Sequence, residues 1–210
     1  MKICNLVLGE YQTNCFCVTA DDSAKDCLVV DTGLSPQPLV DYLQNGELNP
    51  VAVVYTHGHL DHTFGTKALR ENWPDIKVAI HKNDADMLTD ADKNLSAAMG
   101  TPIEFSAADI ILNNGDEVEF AGVKLKVIHT PGHTPGGICL YCESEDILFA
   151  GDTLFANSIG RTDFPGGDHD LLIASIKTKL LVLPDETNVY TGHGPATTIG
   201  QEKISNPFIQ

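Results

Sequence analysis

The residues of this chain best suited to chemistry lie between Thr56 and His62, where the order Thr-His-Gly-His-Leu-Asp-His supplies three imidazoles and a carboxylate. Neutral imidazole nitrogen and carboxylate oxygen are donors for divalent cations such as zinc, iron and manganese. His57 and His59 are two apart, so on extended backbone both point to one side, and Gly58 between them adds nothing to crowd a shared ion. Asp61 and His62 are adjacent, project in divergent directions, and suit a second ion. Three more donors stand at later strand ends or in loops after them: His133 in Pro131-Gly-His-Thr134, Asp152 after Gly151, and His193 in Thr191-Gly-His-Gly194.

The donor total decides how many ions are expected. A structural zinc takes four protein ligands and a catalytic one about three plus water, so His57, His59, Asp61, His62, His133, Asp152 and His193 are too many for one ion. Two divalent metal ions use all seven if a carboxylate bridges. Asp152 is the natural bridge, because imidazole cannot bridge without losing both ring protons. With no thiolate in the set, zinc is the first expectation, and iron or manganese is compatible. Such a pair would activate water for hydrolysis, with Asp61 and Asp152 as the carboxylates at the reacting centre.

The elements that must position these donors follow from periodicity. Short apolar or β-branched runs at Lys2–Leu8, Asn14–Thr19 and Cys27–Asp31 read as antiparallel strands, and Ser35-Pro36 opens a helix with Leu39, Val40 and Leu43 on one face. Val51–Tyr55 is a buried strand feeding the histidine loop, Thr63–Trp73 a helix stopped by Pro74, and Ile76–Ile80 a further strand. His81 is expected in a loop or cap, at the start of a helix whose first turn is acidic. Residues 90–108 show little periodicity and are expected to form a helix or a lid-like loop. Ile110–Leu112, Glu117–Phe120, Val123–Ile128, Gly137–Cys142, Asp146–Ala150 and Asn188–Pro195 read as strands of a second half built like the first, with an amphipathic helix at His169–Leu183.

Composition narrows the class. The 210 residues are 42% hydrophobic and 20% charged, as in a globular protein, and 13 basic against 29 acidic side chains give a net charge of −16. That charge repels phosphate backbones and argues against a nucleic-acid partner. The apolar run in Met1–Leu8 is too short for a secretory signal or a membrane span, so a cytoplasmic protein without a membrane partner is expected. The six cysteines should then be reduced. Cys139 and Cys142 lie three apart in a strand and face opposite sides of it, so they should share neither a metal nor a disulfide.

In order and spacing, Val-Val-Asp31-Thr-Gly, Thr-His-Gly-His-Leu-Asp-His, Pro-Gly-His-Thr, Gly-Asp152-Thr-Leu-Phe and Thr-Gly-His-Gly resemble the metallo-β-lactamase superfamily. Gln12-Thr-Asn-Cys15, Gly160-Arg-Thr-Asp-Phe-Pro-Gly-Gly167 and the tail from Thr198 to Phe208 are similar to its compact glyoxalase II-like hydrolases. The resemblance implies an α/β, four-layer αββα sandwich of two mixed, mostly antiparallel sheets flanked by helices. It implies one domain over 1–210, without the separate C-terminal helical domain that binds substrate in full-length glyoxalase II enzymes. It also implies that His57, His59 and His133 hold one metal and Asp61, His62 and His193 the other, with Asp152 bridging and Asp31 orienting a ligand through a hydrogen bond.

The function so implied is hydrolysis of a small anionic thioester, S-lactoylglutathione or a related compound. A thioester also asks least of the protein, since a thiolate leaves without a dedicated acid. Arg161 is the candidate anchor for the anionic substrate, because a basic residue after a similar glycine contacts glutathione in glyoxalase II enzymes; the structural alternative is an ion pair with Asp163 or Asp168. The rival enzyme is an iron-dependent persulfide dioxygenase, which shares the Gly-Arg-Thr-Asp-Phe run. A nuclease is disfavoured by charge, a β-lactamase by the lack of an export signal, and a silent metal-binding module by the complete donor set.

Overall fold

The computed structural model describes residues 1–210. Strands β1 (Lys2–Leu8), β2 (Thr13–Thr19) and β3 (Asp26–Val30) pair antiparallel. Helix α1 (Gln37–Asn45) crosses to β4 (Asn49–Val54), which runs parallel to β3. Beyond the histidine loop come α2 (Leu60–Thr63), α3 (Thr66–Asn72), β5 (Lys77–His81) and β6 (Ile110–Leu112), both strands again parallel. The first sheet is therefore β1-β2-β3-β4-β5-β6. Its parallel strands are continuous apolar runs, as strands covered on both faces must be.

The second sheet is assembled from β7 (Glu117–Phe120), β8 (Val123–His129), β9 (Ile138–Cys142) and β10 (Ile147–Gly151), joined by antiparallel pairing. After a two-stranded ribbon of β11 (Leu154–Phe155) and β12 (Ser158–Ile159), helix α4 (His169–Ser175) leads to β13 (Asn188–Thr191), parallel to β10. Next come β14 (Thr197–Thr198) and helix α5 (Ile199–Ser205). The order is β14-β13-β10-β9-β8-β7.

Apolar contacts define four layers. Phe16, Val18, Leu28 and Val54 of the first sheet meet Leu125, Val127, Leu140 and Phe149 of the second in one buried cluster. Leu39 and Leu43 of α1 and Leu69 of α3 cover the outer face of the first sheet. Leu172 of α4 and Ile199 of α5 cover that of the second. Burying such a leucine contributes about 2 kcal/mol. No helix is long and apolar enough to cross a membrane. All six cysteines are free; Cys139 lies on the helix side of its sheet and Cys142 between the sheets.

Several local expectations change. The helix expected from Thr63 begins at Leu60 and is interrupted at Phe64-Gly65, where the Gly65 amide donates to Thr32 Oγ1 (2.9 Å). Ile110–Leu112 closes the edge of the first sheet, so the two halves are not equal repeats in sequence. His81 ends β5, is buried, and stacks on His129 with ring centroids 4.1 Å apart. Only a 3₁₀ turn (Ala85–Thr89) follows it. The helix after Asp168 widens at Ile176–Leu180, where Leu181 N reaches Ile176 O. Residues 90–108 form no α-helix. They are turns pinned by buried Asn94, whose Nδ2 donates to Met87 O (3.0 Å) and Ile103 O (2.9 Å).

Candidate metal centre

All seven donors arrive at one edge of the sandwich. The chain leaving β4 carries His57 and His59, the first turn of α2 carries Asp61 and His62, and the loop after β8 carries His133. Asp152 directly follows β10, and His193 follows β13 two residues on. The donors form three overlapping trios, His57-His59-His133, His57-His62-Asp152 and Asp61-His62-His193, with the ligating atoms of each trio within 4.8 Å of one another.

Four of the five imidazoles are turned by a partner on Nδ1. His62 Nδ1 donates to Asp31 Oδ2 (2.9 Å), His133 Nδ1 to Arg161 O (2.7 Å) and His193 Nδ1 to Tyr11 O (2.9 Å). His57 Nδ1 meets Thr56 Oγ1 (3.2 Å), whose hydroxyl donates to Asp31 Oδ2 (2.7 Å). These bonds fix the tautomers and leave Nε2 of four histidines as the donor. His59 is the exception, because its Nδ1 faces His133 Nε2 at 2.9 Å. Asp31 can serve two ligands because β3 ends there in a left-handed conformation (φ 56°), which aspartate tolerates better than most residues.

Asp152 stands among the trios. Its Oδ2 is 3.6 Å from His133 Nε2 and 3.5 Å from His193 Nε2, and its Oδ1 is 3.4 Å from His62 Nε2. Asp61 Oδ2 is 3.3 Å from His193 Nε2. His57 Nε2 and Asp152 Oδ1 are buried without any hydrogen-bond partner. Orphaned polar atoms inside a ring of nitrogen and oxygen donors fit a divalent cation.

The electrostatics divide the histidines. Burial, reinforced by neighbouring imidazoles, pushes His57 well below its ordinary pKa and His59 down to about 3. Burial acts the same way on His62 and His193, but the carboxylates of Asp61 and Asp152 outweigh it, raising His62 well above its usual value and His193 to about 10. Burial alone would raise both carboxylates; the facing imidazoles hold Asp61 low and Asp152 far lower. Protonation is thus opposed at His57 and His59 and favoured at His62 and His193.

Two further residues build the site and escaped the sequence reading. Asp84, wholly buried, accepts from Gly58 N (3.1 Å), Thr134 Oγ1 (2.7 Å) and Gly136 N (2.6 Å), so it ties the His57–His59 loop to the His133 loop. Asn14 of β2 donates through Nδ2 to Thr191 O and Gly194 O, both 2.9 Å, holding the His193 loop of the other sheet. The available signal was position, since Asp84 follows a parallel strand at the same edge as Asp31 and His57.

A cavity of about 800 Å³ opens over the donors and includes His59, Asp61, His133, Asp152 and His193 in its lining. Arg161 is at its mouth, 3.8 Å above the Phe164 ring and in a bidentate pair with Asp163 (2.7 and 2.8 Å).

The sequence profile described as the metallo-beta-lactamase superfamily matches residues 8–193. The hydroxyacylglutathione hydrolase GloC of Haemophilus influenzae is 36% identical over all of this chain and 98% of its own. The crystal structure of BLEG-1 B3 metallo-beta-lactamase superposes with a TM-score of 0.93 at 40% identity, covering both chains fully. TTHA1623, solved in a di-iron-bound form, gives a TM-score of 0.84 at 35% identity over 97% of this chain and 98% of its own. The histidine–aspartate cluster fits a divalent-metal site, and the chain belongs to the metallo-β-lactamase superfamily of metallo-hydrolases.

Proposed function

We propose that this protein is a binuclear metal-dependent hydrolase of thioesters, of the glyoxalase II type, acting on S-lactoylglutathione or a related compound. The observation that carries the reading is Asp152, whose carboxylate lies 3.4 to 3.6 Å from donors of both outer trios. His57, His59 and His133 would hold one ion, Asp61, His62 and His193 the other, and Asp152 would bridge. The di-iron neighbour supports two ions and places iron beside zinc as a candidate metal, with manganese compatible by donor type. Two cations so held would lower the pKa of water to about 7 and offset charge developing on a carbonyl oxygen.

The chain's own residues supply orientation. Asp61 and Asp152 line the cavity and lie beside the reacting centre. Outside the donor set the lining contains no histidine, glutamate, lysine or cysteine, and its two remaining acids, Tyr11 and Asp92, are exposed and their side chains make no hydrogen bond to the donors. A leaving group that departs unprotonated is therefore favoured, and thiols, ionising near pKa 8.5, do so. Arg161 is the one cation of the lining and the anchor for an anionic group on the substrate. The GloC relative supports the thioester class.

Metal content per chain, measured beside a panel of thioesters, tests the reading. Near two ions per chain and thioester turnover abolished in Asp152→Ala are expected; unchanged turnover in that variant refutes the bridge. The B3 lactamase likeness makes β-lactam opening the second reading, so nitrocefin belongs in the panel. Oxygen uptake with glutathione persulfide, without thioester cleavage, would replace both by the persulfide dioxygenase.

A further inference from the structure

Most of the cavity wall beyond the metal donors is apolar. Leu60, Leu95, Ala98 and Met99 contribute on the side of the 90–101 segment, and Phe155, Ile159 and Phe164 on the side of the β11–β12 ribbon and the loop after it. The aromatic members sit against the donors, with Phe164 5.7 Å from the His59 ring and Phe155 6.3 Å from the His193 ring. An apolar group in this space is thus held next to the reacting centre.

The 90–101 wall is a built feature. The Leu60 amide donates to Asn94 O (3.1 Å), coupling the wall to the donor loop. Buried Asn94 and Ser96 close the segment on itself, Asn94 Oδ1 accepting from Ser96 N and Ser96 Oγ from Ile103 N, both at 2.9 Å. Between them Leu95 is left-handed at φ 72°. A bulky non-glycine residue rarely takes that conformation, and it persists only where surrounding contacts impose it. Its outcome here is a leucine side chain in the cavity wall.

Charge points the same way. Arg161 is the only cation of the lining and is already paired with Asp163, while Asp92 adds a negative charge to the wall. A glutathione thioester carries two carboxylates, so one of them would find no cation there. An apolar chain, in contrast, gains from covering this surface.

We infer that the site takes a thioester with an apolar acyl group, an aliphatic chain or an aryl ring, on a small thiol bearing at most one carboxylate. This rests on the thioesterase reading and, within it, favours a related apolar thioester over S-lactoylglutathione. Leu95 and Met99 grip the acyl group, and Arg161 meets the single carboxylate where one is present.

The metal-loaded protein is assayed with N-acetylcysteamine thioesters from acetyl to hexanoyl and benzoyl, beside S-lactoylglutathione. A fully buried methylene is worth roughly fourfold, and the partly open wall is expected to favour hexanoyl over acetyl by at least about fivefold in kcat/KM. A smaller ratio, or S-lactoylglutathione exceeding hexanoyl, overturns the inference. Leu95→Gly removes the side chain and the conformational strain together. It should keep or raise the melting temperature while the hexanoyl-to-acetyl ratio falls; an unchanged ratio removes Leu95 from the wall. Binding of the inert thioethers S-hexyl-N-acetylcysteamine and S-methylglutathione, measured by calorimetry, separates the two levels. Tighter hexyl binding with no thioester cleaved would sink the reaction and keep the apolar site. Cleavage of all thioesters with tighter glutathione binding would do the reverse.

Discussion

The amide of Gly136 donates a 2.6 Å hydrogen bond to Asp84 Oδ1, and through it the loop bearing His133 hangs from a carboxylate on the other sheet. The second oxygen holds Gly58 and Thr134. Asp84→Ala leaves three donors without their acceptor. We expect about 3 kcal/mol of lost stability and metal affinity weaker by about 10- to 100-fold, the usual effect of removing support behind a ligand. Chelator competition and thermal melting of the same variant check this, and parental affinity would assign Asp84 to folding alone.

Gly192 has no room for a side chain. An added Cβ would lie 2.1 Å from Asp152 Oδ1 and 2.9 Å from His62 Cε1. Gly192→Ala should displace the carboxylate, leave fewer than two bound ions and reduce turnover at least about a hundredfold. Metal analysis with circular dichroism distinguishes this from unfolding.

Arg161 acts through two separate groups. Its carbonyl holds His133 and its guanidinium faces the mouth. Arg161→Ala keeps the carbonyl, so metal content should stay at the parental level. KM for a carboxylated thioester should rise about tenfold, the scale of one charge-assisted contact. A fall in bound metal would contradict this division.

Metal loading should release protons. Asp61 and Asp152 raise the pKa of His62 and His193 and so favour their protonated forms, and a histidine must be neutral to bind metal. Since His62 Nε2 and His193 Nε2 face each other at 3.2 Å, release of at least about one proton per chain is expected near pH 7.5, read from titration heats in buffers of different ionisation enthalpy. Release near zero would contradict the ion-pair picture.

The same shifts set the pH profile of the metal-free fold. His193 is raised from 6.5 to about 10, so its contribution is complete below its unfolded value and fades as pH climbs toward 10. His59 is lowered to about 3, so protonating it costs stability progressively as pH falls from about 6.5. The melting temperature of the metal-free protein should therefore peak near neutrality and decline on both sides. Acidification of the loaded protein should expel metal, and full occupancy at pH 4 would refute the assignment.

Much of the site was legible because metal chemistry restricts donor types. His57, His59, Asp61, His62, His133, Asp152 and His193 could be picked out by type and by their places at strand ends, and periodicity located most strands. His81 was misread because a buried strand end next to a polar turn has the composition of a loop. The interruption at Gly65 was hidden because it depends on Thr32, thirty-three residues earlier.

By itself the sequence determined the donor inventory, the carboxylates available to bridge, and the apolar runs that must be buried. Tertiary structure decided what surrounds them. Asp84 became the tie between two loops, Asn14 the support for His193, the Arg161 carbonyl the partner of His133, and Leu95 part of the cavity wall. Donor identity is a property of single side chains, which a sequence states directly. Support and shape depend on hydrogen bonds between residues up to 182 positions apart, and on backbone angles that neighbouring segments impose, so they exist only once the two sheets have packed.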